Sequence, residues 1–218
     1  MNAKHNLTRE QNTYLARRDM ADYIYNSLKL EGNAVSMAET ETILNGNNVG
    51  RVNLDVLQTI LNLRRAWNFV LSNLDAKFDA AFICKVNSRV FDDENLAWGK
   101  IRAARRKKSD EGYIPPEMEE EEVEAEIRRM FESKSSATER AVTFFLWGCK
   151  VKLFEGGNRR TNMLCANKIL MEAGEGILTI GDAHLPEFME RRARYYETDD
   201  ISVIDQWLRE NCVQGLTF

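Results

Sequence analysis

The sequence predicts an α-helical protein with one domain and one small β-hairpin. Three observations carry this. Apolar residues recur at spacings of three and four along most of the chain. Only 3 prolines and 12 glycines punctuate 218 residues, so long helices meet few breakers. One segment, residues 95–116, breaks the helical period and reads as a loop or hairpin.

In chain order, residues 9–30 form the first predicted helix, with Tyr14, Leu15, Ile24 and Leu28 on its apolar face. Gly32 and Asn33 suit its C-terminal cap. Ser36 caps a short helix that ends at residues 45–48, Asn-Gly-Asn-Asn. Residues 53–71 form a longer helix, with Leu54, Leu57, Ile60, Leu61 and Leu63 as the expected buried stripe. Its other face, including Arg64, Arg65 and Trp67, could support an interface such as a homo-oligomer contact, or be ordinary surface. Residues 77–90 follow with Phe78, Phe82, Ile83 and Val86.

Beyond Pro115 and Pro116 comes a glutamate run from Glu117 to Glu126, with Arg128 and Arg129 after it. Prolines and acids favour a helix start and bases favour its end, so the run reads as a solvated helix; an acidic interaction face is the alternative. Residues 137–150 are highly apolar and predict a central helix. Three more helices are expected at about 158–173, 184–196 and 201–211.

Composition bounds the function. The chain is 44% hydrophobic and 29% charged, which suits a soluble globular protein rather than a disordered one. A net charge of −4 gives no general attraction to nucleic acid. Arg102, Arg105, Arg106, Lys107 and Lys108 form a basic cluster, but no aromatics interleave for base stacking, so no nucleic-acid partner is expected. The N-terminus is polar and without a signal-peptide core, and the apolar run 141–149 is too short to span a bilayer. A cytoplasmic protein with no membrane partner is expected. Cys84, Cys149, Cys165 and Cys212 make no C-x-x-C pair, and the two histidines, His5 and His184, complete no zinc pattern. Reduced, mostly buried thiols are expected.

The most informative stretch is residues 152–161, Lys-Leu-Phe-Glu-Gly-Gly-Asn-Arg-Arg-Thr. Glycines can turn backbone N–H groups toward one point, a helix N-terminus adds partial positive charge, and arginines grip phosphate oxygens. The competing reading is a helix cap with no ligand.

This stretch resembles the signature of the Fic family, H-P-F-x-[DE]-G-N-[GK]-R-x-x-R, with Phe154, Gly157, Asn158 and Arg160 at matching positions. Residues 98–102 (Trp-Gly-Lys-Ile-Arg) and 112–116 (Gly-Tyr-Ile-Pro-Pro) resemble the two sides of the family's target-docking flap, near residues 99–114. Residues 27–33, Ser-Leu-Lys-Leu-Glu-Gly-Asn, are similar to the family's inhibitory motif, [ST]-x-x-x-E-[GN]. The resemblance implies an inhibitory helix region at 1–35 and a Fic-type domain at 36–218. It also implies ATP binding, with Mg²⁺, and AMP transfer to a hydroxyl of an unidentified target protein docked on the flap. The pocket residues it implies are Phe154, Gly156, Gly157, Asn158, Arg159 and Arg160, and the inhibitory ones are Ser27, Glu31 and Asn33.

Four departures from the signature bear on chemistry. Lys152 stands where the family has its general base, a histidine, and Gly156 replaces the metal-binding acid. Arg159 replaces the second glycine, and Met163 the final arginine. Lys152 could act as a base only as a neutral amine, far below its usual pKa near ~10.4; an ammonium on phosphate is the simpler role. Glu155 is a candidate for the missing metal acid, displaced by one position, although Mg²⁺ tolerates misplaced ligands poorly. A cation at Arg159 resembles the Doc branch, which phosphorylates its target. The alternatives to AMP transfer are therefore a nucleotide- or protein-binding pseudoenzyme and a Doc-like phosphotransferase. With position 163 occupied by Met, Glu31 is expected to pair with Arg160, Arg159 or Lys152.

Overall fold

The computed structural model describes residues 4–91, 98–102 and 113–216. In chain order the helices are α1 (Arg9–Arg18), α2 (Met20–Leu30), α3 (Met37–Leu44), α4 (Leu54–Ser72) and α5 (Ala80–Phe91), then α6 (Glu120–Glu132), α7 (Ala137–Val151), α8 (Asn158–Ala173), α9 (Leu185–Thr198) and α10 (Ser202–Asn211). A two-residue strand, β1 (Ile177–Leu178), precedes α9, and β2 (Val213–Gln214) follows α10. The α class holds. The central part of the expected flap hairpin, residues 103–112, lies outside the described residues.

The molecule is organised around α8. Every residue from Thr161 to Met171 is buried, and the helix packs on α7, α5, α4, α1 and β1. A helix enclosed on all sides must satisfy its polar side chains internally. Asn167 does so by bonding both the N–H and the C=O of Leu178, at 2.7 and 2.9 Å. Lys168, 1% exposed, reaches Glu172 at 2.7 Å and lies against the Phe78 and Phe82 rings. Asn12 of α1 clasps Gly176 in the same two-bond manner, at 2.8 and 2.9 Å. The segment leading into α1 also bonds the end of α8, Leu7 N to Gly174 O at 2.9 Å.

Several expectations are corrected. The predicted helix 9–30 is two helices. Asp19 leaves helical geometry (φ −105°, ψ 18°) between them while Arg18 grips its carboxylate at 2.6 and 2.7 Å. On α4 the buried stripe is Ile60, Leu63, Ala66, Trp67 and Val70, whereas Leu54 is exposed and Leu57 and Leu61 are only partly buried. Leu54 sits at the very start of the helix, ahead of the first turn that the core covers. Trp67 shares the buried face and packs on Tyr23 with ring centroids 5.6 Å apart, so it offers no exposed interface. Tyr14, expected on the apolar face, is likewise exposed, and Leu15 takes the core position. The antiparallel pairing of Ile177 with Gln214 and Leu178 with Val213 had no sequence signal, since two-residue strands are too short to alternate.

The glutamate run is the start of α6, where Glu119 and Glu122 form a capping box. All four cysteines are free thiols, three of them buried. Among the described residues, no helix is long and apolar enough to cross a membrane.

Candidate active site

The signature loop is the turn between α7 and α8. Lys152 ends α7 in left-handed geometry, φ 52°, which costs a lysine energy that glycine would not incur. Leu153 and Phe154 then turn into the core, each 2% exposed. Asn158 closes the loop from both sides: its Oδ1 accepts from Phe154 N at 2.9 Å and its Nδ2 donates to Phe154 O at 2.8 Å. Gly157, φ 68°, precedes the first residue of α8 and directs the chain into the helix.

Both ends of the flap segment fasten to this loop. The Arg102 N–H donates to Leu153 O at 2.8 Å, and its guanidinium donates to the carbonyls of Lys152 (2.6 Å), Pro116 (2.6 Å) and Val151 (3.2 Å). One side chain thus satisfies carbonyls at the end of α7 that have no helical partner. From the returning side, the Tyr113 hydroxyl donates to Lys150 O, and its ring packs against Tyr196. The Lys152 Nζ lies 5.7 Å from the centre of the Tyr113 ring, whose face is a seat for an ammonium.

A residue the sequence reasoning missed holds the other wall. Asn87, fully buried on α5, donates to Gly156 O at 3.1 Å and to Thr161 Oγ1 at 3.0 Å, and accepts from Gly99 N at 2.9 Å. The available signal was an amide lying one position from Val86 within an otherwise apolar helical stripe.

The predicted inhibitory residues divide by role. Ser27 donates to Tyr23 O at 2.8 Å, so its hydroxyl serves its own helix. Asn33 caps α2 through Leu28 O, by its backbone N–H at 3.0 Å and its side chain at 3.2 Å. Glu31 alone enters the site. Its carboxylate accepts two parallel bonds from Arg159, from Nε at 3.0 Å and Nη2 at 3.1 Å. Of the three partners expected, Arg159 makes this two-bond contact. Arg160, partly buried, places its guanidinium 5.2 Å from the centre of the Phe91 ring. Burial pulls its pKa down while Glu31 opposes that shift.

The metal position does not fit a metal. Gly156 has no donor side chain, and a Cβ there would lie 3.0 Å from Phe91 and 3.3 Å from Trp98. Those two rings stack with centroids 3.7 Å apart and planes 7° from parallel, forming a lid over both glycines. Glu155 is exposed. Among the described residues, no three His, Cys, Asp or Glu side chains come together as a metal cluster. His5 and His184 lie elsewhere: His5 touches Val213 O, and His184 meets the Trp207 ring edge-on.

This fold is found in solved structures. A fragment of Fic-1 from C. elegans superposes with a TM-score of 0.76 at 19% identity, over 90% of this chain and 62% of that one. The chain has a Fic fold. A Fic-domain-containing signalling protein from Bacteroides thetaiotaomicron gives a TM-score of 0.68 at 15% identity, over 94% and 88% of the two chains. A Fic family protein from Desulfovibrio desulfuricans gives 0.64 at 14%, over 89% and 59%. The chain therefore spans about three fifths of the C. elegans fragment's length. No protein-family model and no curated protein matches the chain. At these identities the likeness establishes the Fic fold, and the chemistry has to be argued from the site.

Proposed function

We propose that this Fic-fold protein binds ATP through its triphosphate at the start of α8, and that Glu31 plugs the pocket in cis. The single observation carrying this reading is the two-bond contact of Glu31 with Arg159, at 3.0 and 3.1 Å. Arg159 lies one helical turn before Met163, on the same face of α8. A guanidinium at 159 can therefore serve the region that the signature assigns to its final arginine. The carboxylate then stands where phosphate oxygens would sit, and ATP has to displace it.

AMP transfer to a protein hydroxyl is the activity this fold suggests, and this chain is poorly equipped for it. A base must be within reach of the attacking hydroxyl, and Lys152 takes that place against the Tyr113 ring. The protein supplies no carboxylate for Mg²⁺ at Gly156, so no step is assigned to a protein-held metal. The reading is a nucleotide-binding protein with weak or absent AMP transfer. The Doc-like alternative needs Arg159 to draw the phosphates into another pose, and the Glu31 contact favours the plug instead. A cytoplasmic location and a flap-docked target protein remain part of the proposal.

The test is calorimetric titration of ATP into the protein and its Glu31→Gly variant, with and without Mg²⁺. Tighter binding by the variant is expected. Absence of binding by both folded proteins would end the ATP reading and leave a Fic-shaped interaction module.

A further inference from the structure

The signature loop differs in charge as well as in shape from the pattern it resembles. Lys152 for a histidine, Gly156 for an acid and Arg159 for a glycine each add one positive charge, and Met163 for an arginine removes one. With the histidine neutral, the fixed charge of the loop and the start of α8 is higher by two than that of the signature. That is the charge one divalent cation would bring.

The space has changed in the same direction. Mg²⁺ dehydrates reluctantly and keeps several of its waters, so its seat needs room as well as an acid. Gly156 offers no side chain, and even a Cβ there would meet Phe91 at 3.0 Å and Trp98 at 3.3 Å. A Cβ on Gly157 would come within 2.5 Å of the same Phe91 ring. The lid is also pinned from behind. Asn87 accepts from the N–H of Gly99, next to Trp98, and Asn62 donates to Phe91 O. Against this lid lies a protein cation: the Arg160 guanidinium is 5.2 Å from the centre of the Phe91 ring. Its Nε is buried and has no hydrogen-bond partner among the described residues. Guanidiniums stay charged at any working pH and bond phosphate oxygens through several N–H groups.

We infer that the pocket takes its polyphosphate free of metal, the fixed cations of the loop supplying the charge that a divalent ion would have brought. The inference rests on the nucleotide reading above and names the form of the ligand: uncomplexed triphosphate rather than its magnesium chelate. Chelation removes two negative charges from the ligand, charges that Lys152, Arg159 and Arg160 are placed to meet. It also attaches a hydrated ion for which the Phe91–Trp98 lid leaves no room. Mg²⁺ is therefore a competitor, because it withdraws the form that the loop binds.

The experiment uses Glu31→Gly as the parent, so that the plug does not obscure binding. The parent is titrated with ATP and with inorganic tripolyphosphate, once in EDTA and once in excess MgCl₂, at matched ionic strength. Both ligands are expected to bind about tenfold or more tightly in EDTA, as fits the gain or loss of a charge-assisted contact. Adding Arg159→Met should weaken binding in EDTA by about tenfold and narrow the gap between the two conditions, whereas Arg159→Lys keeps the gap. Equal or tighter binding in MgCl₂ by the folded parent overturns the inference and leaves the nucleotide reading intact. A gap that is unchanged in a folded Arg159→Met protein overturns the assignment to the cations of the loop. Should that variant not fold, the comparison on the parent still decides. A parent that binds neither ligand under either condition overturns both readings.

Discussion

Glu31 and Arg159 are 128 positions apart in sequence and meet in a parallel two-bond contact, with side chains about one-fifth and one-quarter exposed. The contact joins the end of α2 to the first turn of α8. A carboxylate at the C-terminal end of a helix gains nothing from that helix's dipole. It gains here from a guanidinium held at the N-terminal turn of another helix.

That geometry predicts a measurable coupling. Glu31→Gly, Arg159→Met and the double variant form a thermodynamic cycle readable by urea unfolding. Because the pair is partly solvated, its coupling should be modest, on the order of 0.5–1 kcal/mol. The effect on ATP affinity should be asymmetric: removal of Glu31 opens the pocket, while removal of Arg159 opens it and also deletes a phosphate ligand. Equal ATP affinities for the two single variants would contradict this division of roles.

The lid over Gly156 predicts the fate of any attempt to restore the signature acid. A Cβ at that position already crowds Phe91 and Trp98, and a carboxylate extends further beneath the stack. Gly156→Asp should cost about 1–3 kcal/mol through overpacking. Adding Phe91→Leu should recover part of that loss. Mg²⁺ dependence of ATP binding should emerge only in the double variant. A fully stable Gly156→Asp protein would mean that the rings yield freely.

Asn158 provides a separate test of the loop. It satisfies the N–H and C=O of Phe154 at once, so Asn158→Ala leaves two backbone groups in a tight turn without their partner. A loss of about 1–3 kcal/mol is expected in thermal or urea unfolding, with ATP affinity lowered as the loop loosens. Asn158→Asp keeps the acceptor and loses the donor, so it should fall between wild type and Ala.

The sequence made the loop readable because its glycines, its asparagine and its arginines are local, and local chemistry survives without coordinates. Ser36 likewise caps α3 as its position predicts, and Asn53, read as the first residue of its helix, is the cap of α4. What stayed hidden depends on the neighbours of each residue in space. Trp98 reads only as the start of a flap-like motif and Phe91 carries no signal; their stacking above Gly156 makes them a lid. Arg192 sits among charged residues in sequence, and its burial follows from packing rather than pattern. Asn87 announced itself only as a polar interruption. The choice of Arg159 over Arg160 as partner of Glu31 follows from which way two adjacent side chains leave α8, and sequence spacing does not fix that direction.

Acid sensitivity should trace in part to the cap of α3. The Arg51 guanidinium and the Ser36 hydroxyl and N–H bond the Glu39 carboxylate, and together they hold its pKa down to about 2, against an ordinary 4.5. A carboxylate whose folded pKa is depressed adds stability above its unfolded value and loses it as pH falls through the folded one. The contribution of Glu39 should therefore be complete above about pH 4.5 and fade toward pH 2. Other carboxylates also titrate in this range, among them Asp75, Glu139 and Asp200, so the informative quantity is the difference between wild type and Glu39→Gln. The stability gap between the two should be widest at neutral pH and narrow steadily below pH 4.5, as read from melting temperatures. Arg51 is largely exposed, so high salt should shrink the gap at neutral pH. Arg51→Met should narrow it too, leaving only the part that Ser36 supplies. A gap that is constant from pH 7 to pH 2 would mean that the folded and unfolded states hold the Glu39 proton equally, and that the capping contact has no electrostatic share in the stability of α3.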